Sequence, residues 1–278
     1  MDLKDRVVWV TGGCSGMGLA STRMFLDKGA KVMVTDINDE TGRKLEKELG
    51  ENMIFVKADM TATEALQGAV RTVMAKWERI DVLLACAGGG VPTWAVPMAP
   101  TEESVMAGGP LDWRYTGEGP GSLEDFKVDI AINLTGNFDA ARLAAWEMMK
   151  NEPNEEGERG VIIFISSISA NKRHSPGLNC GYSSAKAGLL GLAKEISVNL
   201  APAGIRVNNI LPGFFDTAIV QDLGPLKDAW LGAQIFPKKS GDPSKIGSMA
   251  LQIIENSFVN NAVIEVTAGF AGTGSYQV

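Results

Sequence analysis

The 278-residue sequence predicts an α/β fold, a single domain on a doubly wound parallel sheet of about seven strands. Three observations predict it. Short apolar runs alternate with longer segments of helical period. A glycine-rich turn joins the first apolar run to the first helical segment. Polar residues or glycines close most of the runs, as they do where the C-terminal ends of parallel strands face a ligand.

Residues 7–10 (VVWV) read as a buried strand, because strands covered on both faces are apolar throughout. The turn Thr11-Gly12-Gly13-Cys14-Ser15-Gly16-Met17-Gly18 follows, and residues 19–28 carry helical spacing. Such a turn lets backbone N–H groups at a helix N-terminus approach a pyrophosphate. Its spacing is G-x-x-x-G-x-G rather than the commoner G-x-G-x-x-G. The next strand, residues 31–35, ends in Asp36. A carboxylate there binds adenosine-ribose hydroxyls and repels a 2′-phosphate, which points to NAD over NADP. The competing role for Asp36 is an N-cap of the helix ahead. Residues 39–49 read as an amphipathic helix, 53–56 as a strand running on to Asp59, and 61–77 as a helix. Residues 82–87 form the next strand, closed by Gly88-Gly89-Gly90, so Asp59, Cys86 and Gly88 fall at ligand-facing strand ends.

Residues 91–122 break the rhythm with prolines, glycines and scattered aromatics (Trp94, Trp113, Tyr115) and no clear period. A loop this long is usually functional or mobile, and it reads as a substrate cover or subunit contact against a solvated decoration. Residues 123–150 read as one long helix with Asn133 inside an apolar stripe of Phe126, Ile130, Leu134 and Phe138. The most apolar strand, residues 161–165, ends in Ser166-Ser167-Ile168-Ser169. Tyr182 opens a helix that runs to about residue 200, with Lys186 one turn along on the same face. An ammonium near a phenol favours the phenolate and lowers its pKa from about 10 toward neutrality. That makes the tyrosine a usable acid or base. Residues 205–211 form a strand left through Pro212-Gly213-Phe214-Phe215-Asp216-Thr217. Residues 213–240 have the irregular character of a lid, 243–254 are helical, and 263–266 are a final strand.

Composition bounds the partners. A net charge of -7 argues against a broad phosphate-binding surface, hence against nucleic acid. No apolar run approaches a membrane span, and residues 1–6 enter a short apolar run without a signal-peptide core. Cys14, Cys86 and Cys180 form neither a metal spacing nor a disulfide framework, which fits a reducing, cytoplasmic setting and no metal.

The order and spacing of these pieces resemble the short-chain dehydrogenase/reductase family, whose fold is a Rossmann-type sheet, over essentially the whole chain. The matching elements are Thr11-Gly12-x3-Gly16-x-Gly18, Asp59, Cys86-Ala87-Gly88, Asn133-Leu134-x-Gly136, Ser167, Tyr182-x3-Lys186 and Pro212-Gly213. Within the family the chain looks most like the type II 3-hydroxyacyl-CoA dehydrogenases, through residues 147–163, Gly241-Asp242-Pro243 and residues 253–258.

The resemblance implies NAD-dependent oxidation of a secondary alcohol, or reduction of the ketone, with NAD lying over the strand ends. Gly12 and Ser15 to Gly18 (including Gly16 and Met17) would take the pyrophosphate, and Asp36 the adenosine ribose. Asp59 and Met60 would flank the adenine, with Cys86, Ala87 and Gly88 along the ribose. Pro212, Gly213, Phe215 and Thr217 would sit toward the nicotinamide. Tyr182 would be the base, Lys186 would tune it and hold the nicotinamide ribose, Ser167 would bond the substrate oxygen, and Asn133 would fix a relay water. The subfamily implies a 3-hydroxyacyl-CoA thioester as substrate, and the resemblance a homotetramer. The tryptophan- and proline-rich insertion suggests a bulky acyl group. A steroid, sugar or cyclic alcohol is the alternative substrate, and a catalytically silent NAD-binding subunit the alternative of another class. Lys172, Arg173, Lys238 and Lys239 could meet CoA phosphates, with solvated charge as the plainer reading; His174, the sole histidine, reads as exposed.

The chain departs from the family pattern in four places. Ala85 stands where many members have Asn, and residues 91–122 are longer than the family core. The interval to Tyr182 is extended, so a common spacing lands on Ser169 while registration on the strand picks Ser167. Thr267-Ala268-Gly269 replaces a common Asp-Gly-Gly, which bears on subunit contacts.

Overall fold

The computed structural model describes residues 1–101, 103, 113–117, 119–172, 179–218 and 225–270. The first half of the chain alternates β1 (Val7–Thr11), α1 (Gly16–Asp27), β2 (Lys31–Asp36), α2 (Asp39–Leu49), β3 (Met53–Lys57), α3 (Thr63–Trp77) and β4 (Val82–Ala85). After β4 comes a small antiparallel ribbon, β5 (Met98–Pro100) with β6 (Trp113–Tyr115), inside the stretch where the sequence showed no period. Helices α4 (Leu123–Ile130) and α5 (Gly136–Met148) follow, then β7 (Gly160–Ile165), α6 (Cys180–Leu200), β8 (Ile205–Pro212), α7 (Pro225–Gly232), α8 (Ser244–Glu255) and β9 (Val263–Val266).

Among the described residues, seven strands form one parallel sheet in the order β3-β2-β1-β4-β7-β8-β9. The chain winds outward from β1 to β3, then returns to place β4 on the other side of β1. That reversal opens a crevice at the strand C-termini, where ligands of such sheets bind. Side-chain alternation splits the core into two layers. Val7, Trp9, Leu83, Ile162 and Phe164 pack with Leu66, Ala144 and Leu189 from α3, α5 and α6. Val8, Val10, Val32, Val161 and Ile163 pack with Phe25 and Ile253 from α1 and α8. Both faces are covered, which is why these strands read as unbroken apolar runs. Among the described residues, no helix is long and apolar enough to cross a membrane.

Two expectations change. The single helix expected over 123–150 carries a π-helical turn, Ala131–Thr135, with Asn133 inside it. The side chain of Asn133 is fully buried, while Phe138, expected in the same apolar stripe, is exposed. The strand expected over 82–87 stops at Ala85, because Cys86 N turns back to the Leu84 carbonyl at 3.1 Å.

Candidate active site

The crevice between the two halves of the sheet is a cleft of about 500 Å³. Its floor is set by the turn after β1. Gly12 N donates to Thr35 O at 2.7 Å, and Ala87 N donates to Thr11 Oγ1 at 3.0 Å, so the turn is tied to the ends of β2 and β4. Gly12 has φ +66°, and a Cβ there would stand 2.7 Å from Ala87 Cα; any other residue would push the strands apart. Ser15 is the N-cap of α1 but makes no side-chain capping bond, and the first turn carries no acid. The amides of that turn are left to bind an anion, which fits a pyrophosphate.

At the end of β2, Asp36 accepts from Cys14 N (3.1 Å) and from Asn38 N (3.0 Å). Its competing role as helix N-cap is taken by Asn38, whose Oδ1 accepts from Thr41 N at 3.0 Å. Asp36 is therefore held at the cleft wall by the glycine turn, not spent on α2.

The chemistry-bearing side chains meet beside the cleft. Ser167, at the end of β7, accepts from Ser169 N (3.1 Å), and the two serine hydroxyls lie 3.0 Å apart. Ser167 faces Tyr182, in the first turn of α6, where hydrogen bonding by the serine hydroxyl favours the phenolate. One turn on, Lys186 Nζ donates to Ile165 O at 2.8 Å and lies 5.5 Å from the centroid of the Tyr182 ring. Ser166 Oγ donates to the Lys186 carbonyl at 2.8 Å, fastening α6 to β7. Asn133 Nδ2 donates to Gly89 O (2.6 Å) and Asp129 O (3.0 Å), and Gly89 N donates to Asn133 Oδ1 (3.2 Å).

The electrostatics differ from the expected lowering of the phenol's pKa. Burial pushes the Tyr182 hydroxyl above its ordinary value; the Ser167 bond opposes this, and Cys86 and Asp129 add to it. Burial also lowers Lys186 to about 8, with Cys86 opposing. The ammonium stands over the ring face and is held by a backbone carbonyl, so desolvation outweighs its pull on the hydroxyl. Cys86 is raised to about 11, first by burial, with Lys186 opposing and Asp36 adding.

Of the residues expected to hold a cofactor, Gly12, Ser15, Gly16, Met17, Gly18, Asp36, Asp59, Met60, Cys86, Ala87, Gly88 and Thr217 line the cleft. Tyr182 and Lys186 stand beside it: a Cβ on the lining residue Gly88 would lie 3.2 Å from Lys186 Nζ. Pro212 ends β8 and Gly213 follows it, and neither enters the lining. Phe215, expected at the nicotinamide end, is instead buried in the core beneath Gly241. Its neighbour Phe214 turns the other way and stacks on Trp230 with ring centroids 5.1 Å apart. Sequence reasoning missed Thr35, Ile37, Ala58, Ile132, Asp216 and Ala218 in the lining, each adjacent to a residue or element it had named. Arg173 and His174 lie outside the described residues.

A dinucleotide-sized crevice with a serine, a tyrosine and a lysine at its lip defines a class: a nicotinamide-dependent oxidoreductase acting on CH–OH groups. Comparison with known proteins agrees. A family profile described as short chain dehydrogenase matches residues 6–108, and one described as enoyl-(acyl carrier protein) reductase matches residues 118–271. The chain belongs to the short-chain dehydrogenase/reductase family. It is 35% identical over 265 residues to human (Homo sapiens) 3-hydroxyacyl-CoA dehydrogenase type-2, covering 95% of this chain and 94% of that one. It is 29% identical over 276 residues to the 3-oxoacyl-[acyl-carrier-protein] reductase FabG of Chlamydia muridarum, covering 97% of this chain and 98% of that one. The crystal structure of 3-hydroxyacyl-CoA dehydrogenase type-2 from Mycobacterium avium superimposes with a TM-score of 0.84 at 27% identity, covering 98% of this chain and 97% of that one.

Proposed function

We propose that the chain interconverts the secondary alcohol of a 3-hydroxyacyl-CoA with a bulky acyl group and the corresponding ketone, with NAD as cofactor. The observation that carries the chemistry is the convergence of Ser167, Tyr182 and Lys186 beside the cleft, with the Lys186 ammonium 5.5 Å from the centroid of the tyrosine ring. Bound nicotinamide supplies the hydride acceptor or donor. Tyr182 takes the hydroxyl proton in oxidation and returns it in reduction. Ser167 donates to the substrate oxygen as it gains alkoxide character, and Ser169 orients that serine through its own amide and hydroxyl. Registration on the strand therefore favours Ser167 over Ser169 as the catalytic serine. Lys186 meets the nicotinamide ribose, and Asn133 fixes the backbone at Gly89 and a relay water.

The choice of NAD over NADP rests on Asp36, a carboxylate in the cleft wall with two backbone donors already holding it in place. A 2′-phosphate there would meet like charge. The CoA part of the reading rests on the likeness to dehydrogenases named for 3-hydroxyacyl-CoA. Lys172 is engaged by Glu265 and the Phe270 carbonyl, so Lys238 and Lys239, both exposed, are the better candidates for its phosphates. The bulky acyl group would be covered by the segment 91–122, and residues 213–240 would close as a lid. A homotetramer in the cytoplasm completes the reading.

The test is a panel of hydroxyacyl-CoAs, hydroxysteroids, sugars and cyclic alcohols with NAD or NADP, followed by reduced-nicotinamide absorbance. The proposal predicts the highest kcat/KM for CoA thioesters with NAD. Turnover confined to steroids, sugars or cyclic alcohols would move the assignment to that alternative. Kinetics on small and bulky acyl groups left equally unchanged by truncating 91–122 would end the bulky-acyl reading.

A further inference from the structure

Asp129 sits one turn before Asn133 with its carboxylate fully buried, and among the described residues no ion pair holds it. Its two oxygens are occupied by one short segment at the root of the insertion. Val91 N donates to Oδ1 and Thr93 Oγ1 donates to Oδ2, each at 3.1 Å. Thr93 in turn accepts from two amides at the start of α6: its Oγ1 takes Gly181 N at 2.7 Å and its carbonyl takes Cys180 N at 2.9 Å.

That helix carries Tyr182 and Lys186, and among the described residues its own N-terminus supplies no side-chain cap. Asn179, at the N-cap position, makes no side-chain capping bond. The first amides of any helix lack intrahelical partners and need acceptors. Here they come from a residue 88 positions away in sequence. A hydroxyl has a single proton, and an ionised carboxylate only accepts. Giving that proton to Asp129 leaves the Thr93 lone pairs facing Gly181 N, so the carboxylate fixes the polarity of the cap.

The packing leaves no slack around this arrangement. A Cβ on Gly181 would fall 2.6 Å from Asp129 Oδ2, and one on Gly90 would fall 3.0 Å from Oδ1 and 3.5 Å from Tyr182 Cδ2. The segment 89–93 is thus held at one end by Asn133 and at the other by Asp129, with the Tyr182 ring beside Gly90.

We propose that Thr93 is a long-range N-cap of the catalytic helix and that Asp129 sets its polarity, which makes both positioning residues for Tyr182. The proposal rests on Tyr182 being the reacting phenol, and the controls separate the two ideas. Thr93→Val keeps the shape and removes the hydroxyl; Thr93→Ser keeps the hydroxyl. Thr93→Val is expected to lower kcat about 10- to 100-fold, as small misplacements of reacting groups do, with the KM for NAD within about twofold. Hydrogen exchange at amides 180–183 should quicken while that of β1 is unchanged. Thr93→Ser should bring both readouts back toward the parent. Asp129→Asn, which cannot accept the threonine proton at its amide nitrogen, should fall between them.

Wild-type kcat together with unchanged exchange in Thr93→Val overturns the proposal, as does a kcat loss that Thr93→Ser fails to restore. If Thr93→Val does not fold, Asp129→Asn decides on the same two readouts. Tyr182→Phe is run beside them. If it keeps wild-type turnover, the role of Tyr182 fails, and the exchange data still report on the cap alone.

Discussion

Tyr182 must lose a proton to act as a base on an alcohol, and burial holds that proton more tightly than in a free phenol. The sign follows directly. Phenolate becomes more populated as pH rises, so kcat/KM for oxidation is predicted to climb from neutral pH up to and beyond the ordinary phenol value of about 10; reduction, which uses the neutral phenol, should hold steady at neutral pH. Rates in initial-velocity assays across that range check this, and faster oxidation at the acid end would contradict it. Ser167→Ala removes the hydrogen bond that draws the phenol's pKa down. It is predicted to cost about 10²–10³-fold in kcat, to move the rise of oxidation to higher pH, and to leave NAD binding intact. If Asp36 holds the adenosine ribose as proposed, exchanging it for Arg is expected to give at least about tenfold weaker NAD binding with NADP turnover gained. Tyr182, Lys186 and Asp36 stood out as candidates through residue type and spacing, while the direction of the phenol's pKa, which depends on burial, did not. Asp129 and Thr93 were not: a carboxylate in a helix beginning Leu-Glu-Asp reads as solvated charge until docking on α6 buries it.

At the scale of elements, the glycine turn and the π-helical turn do the positioning. A methyl group at Gly12 would meet the backbone of Ala87, and its φ of +66° disfavours a side chain. Gly12→Ala should weaken NAD binding by about tenfold or more in calorimetry while the far-ultraviolet circular dichroism stays the same; unchanged affinity would mean that the turn is not the floor of the cofactor site. The alternation of strands and helices was readable because parallel strands are apolar on both faces. The π turn was not readable, since an extra residue in a helix leaves no compositional mark, and only the bonds from Asn133 to Gly89 show its purpose. Phe215 misled for a related reason. An aromatic after a strand end fits a ligand contact or a core position equally well, and the local twist sends Phe214 to Trp230 and Phe215 inward.

For the whole molecule, the end of the sheet opposite the cleft is closed by Arg206. Its guanidinium is buried against Glu158 (2.7 Å) and donates to the carbonyls of Ile253, Val259 and Ile254, while the N-terminal ammonium reaches Ile254 O at 3.0 Å. Arg206→Met leaves the buried Glu158 carboxylate with only the N-terminal ammonium at 3.5 Å as its ionic partner and takes a donor from three carbonyls, and is predicted to cost about 3 kcal/mol in urea unfolding, with kcat of the folded fraction near the parent value. A loss confined to activity would place this cluster in the wrong account. The central claim concerns the other end, where a buried phenol beside a dinucleotide cleft moves the proton of an alcohol. The most direct measurement is NAD calorimetry and single-turnover oxidation of a hydroxyacyl-CoA by wild type and Tyr182→Phe together. The account predicts NAD affinity within about twofold for both proteins and a fall in turnover of about 10³-fold or more for Tyr182→Phe. Wild-type turnover in Tyr182→Phe, or wild-type protein that takes up no NAD, would contradict it.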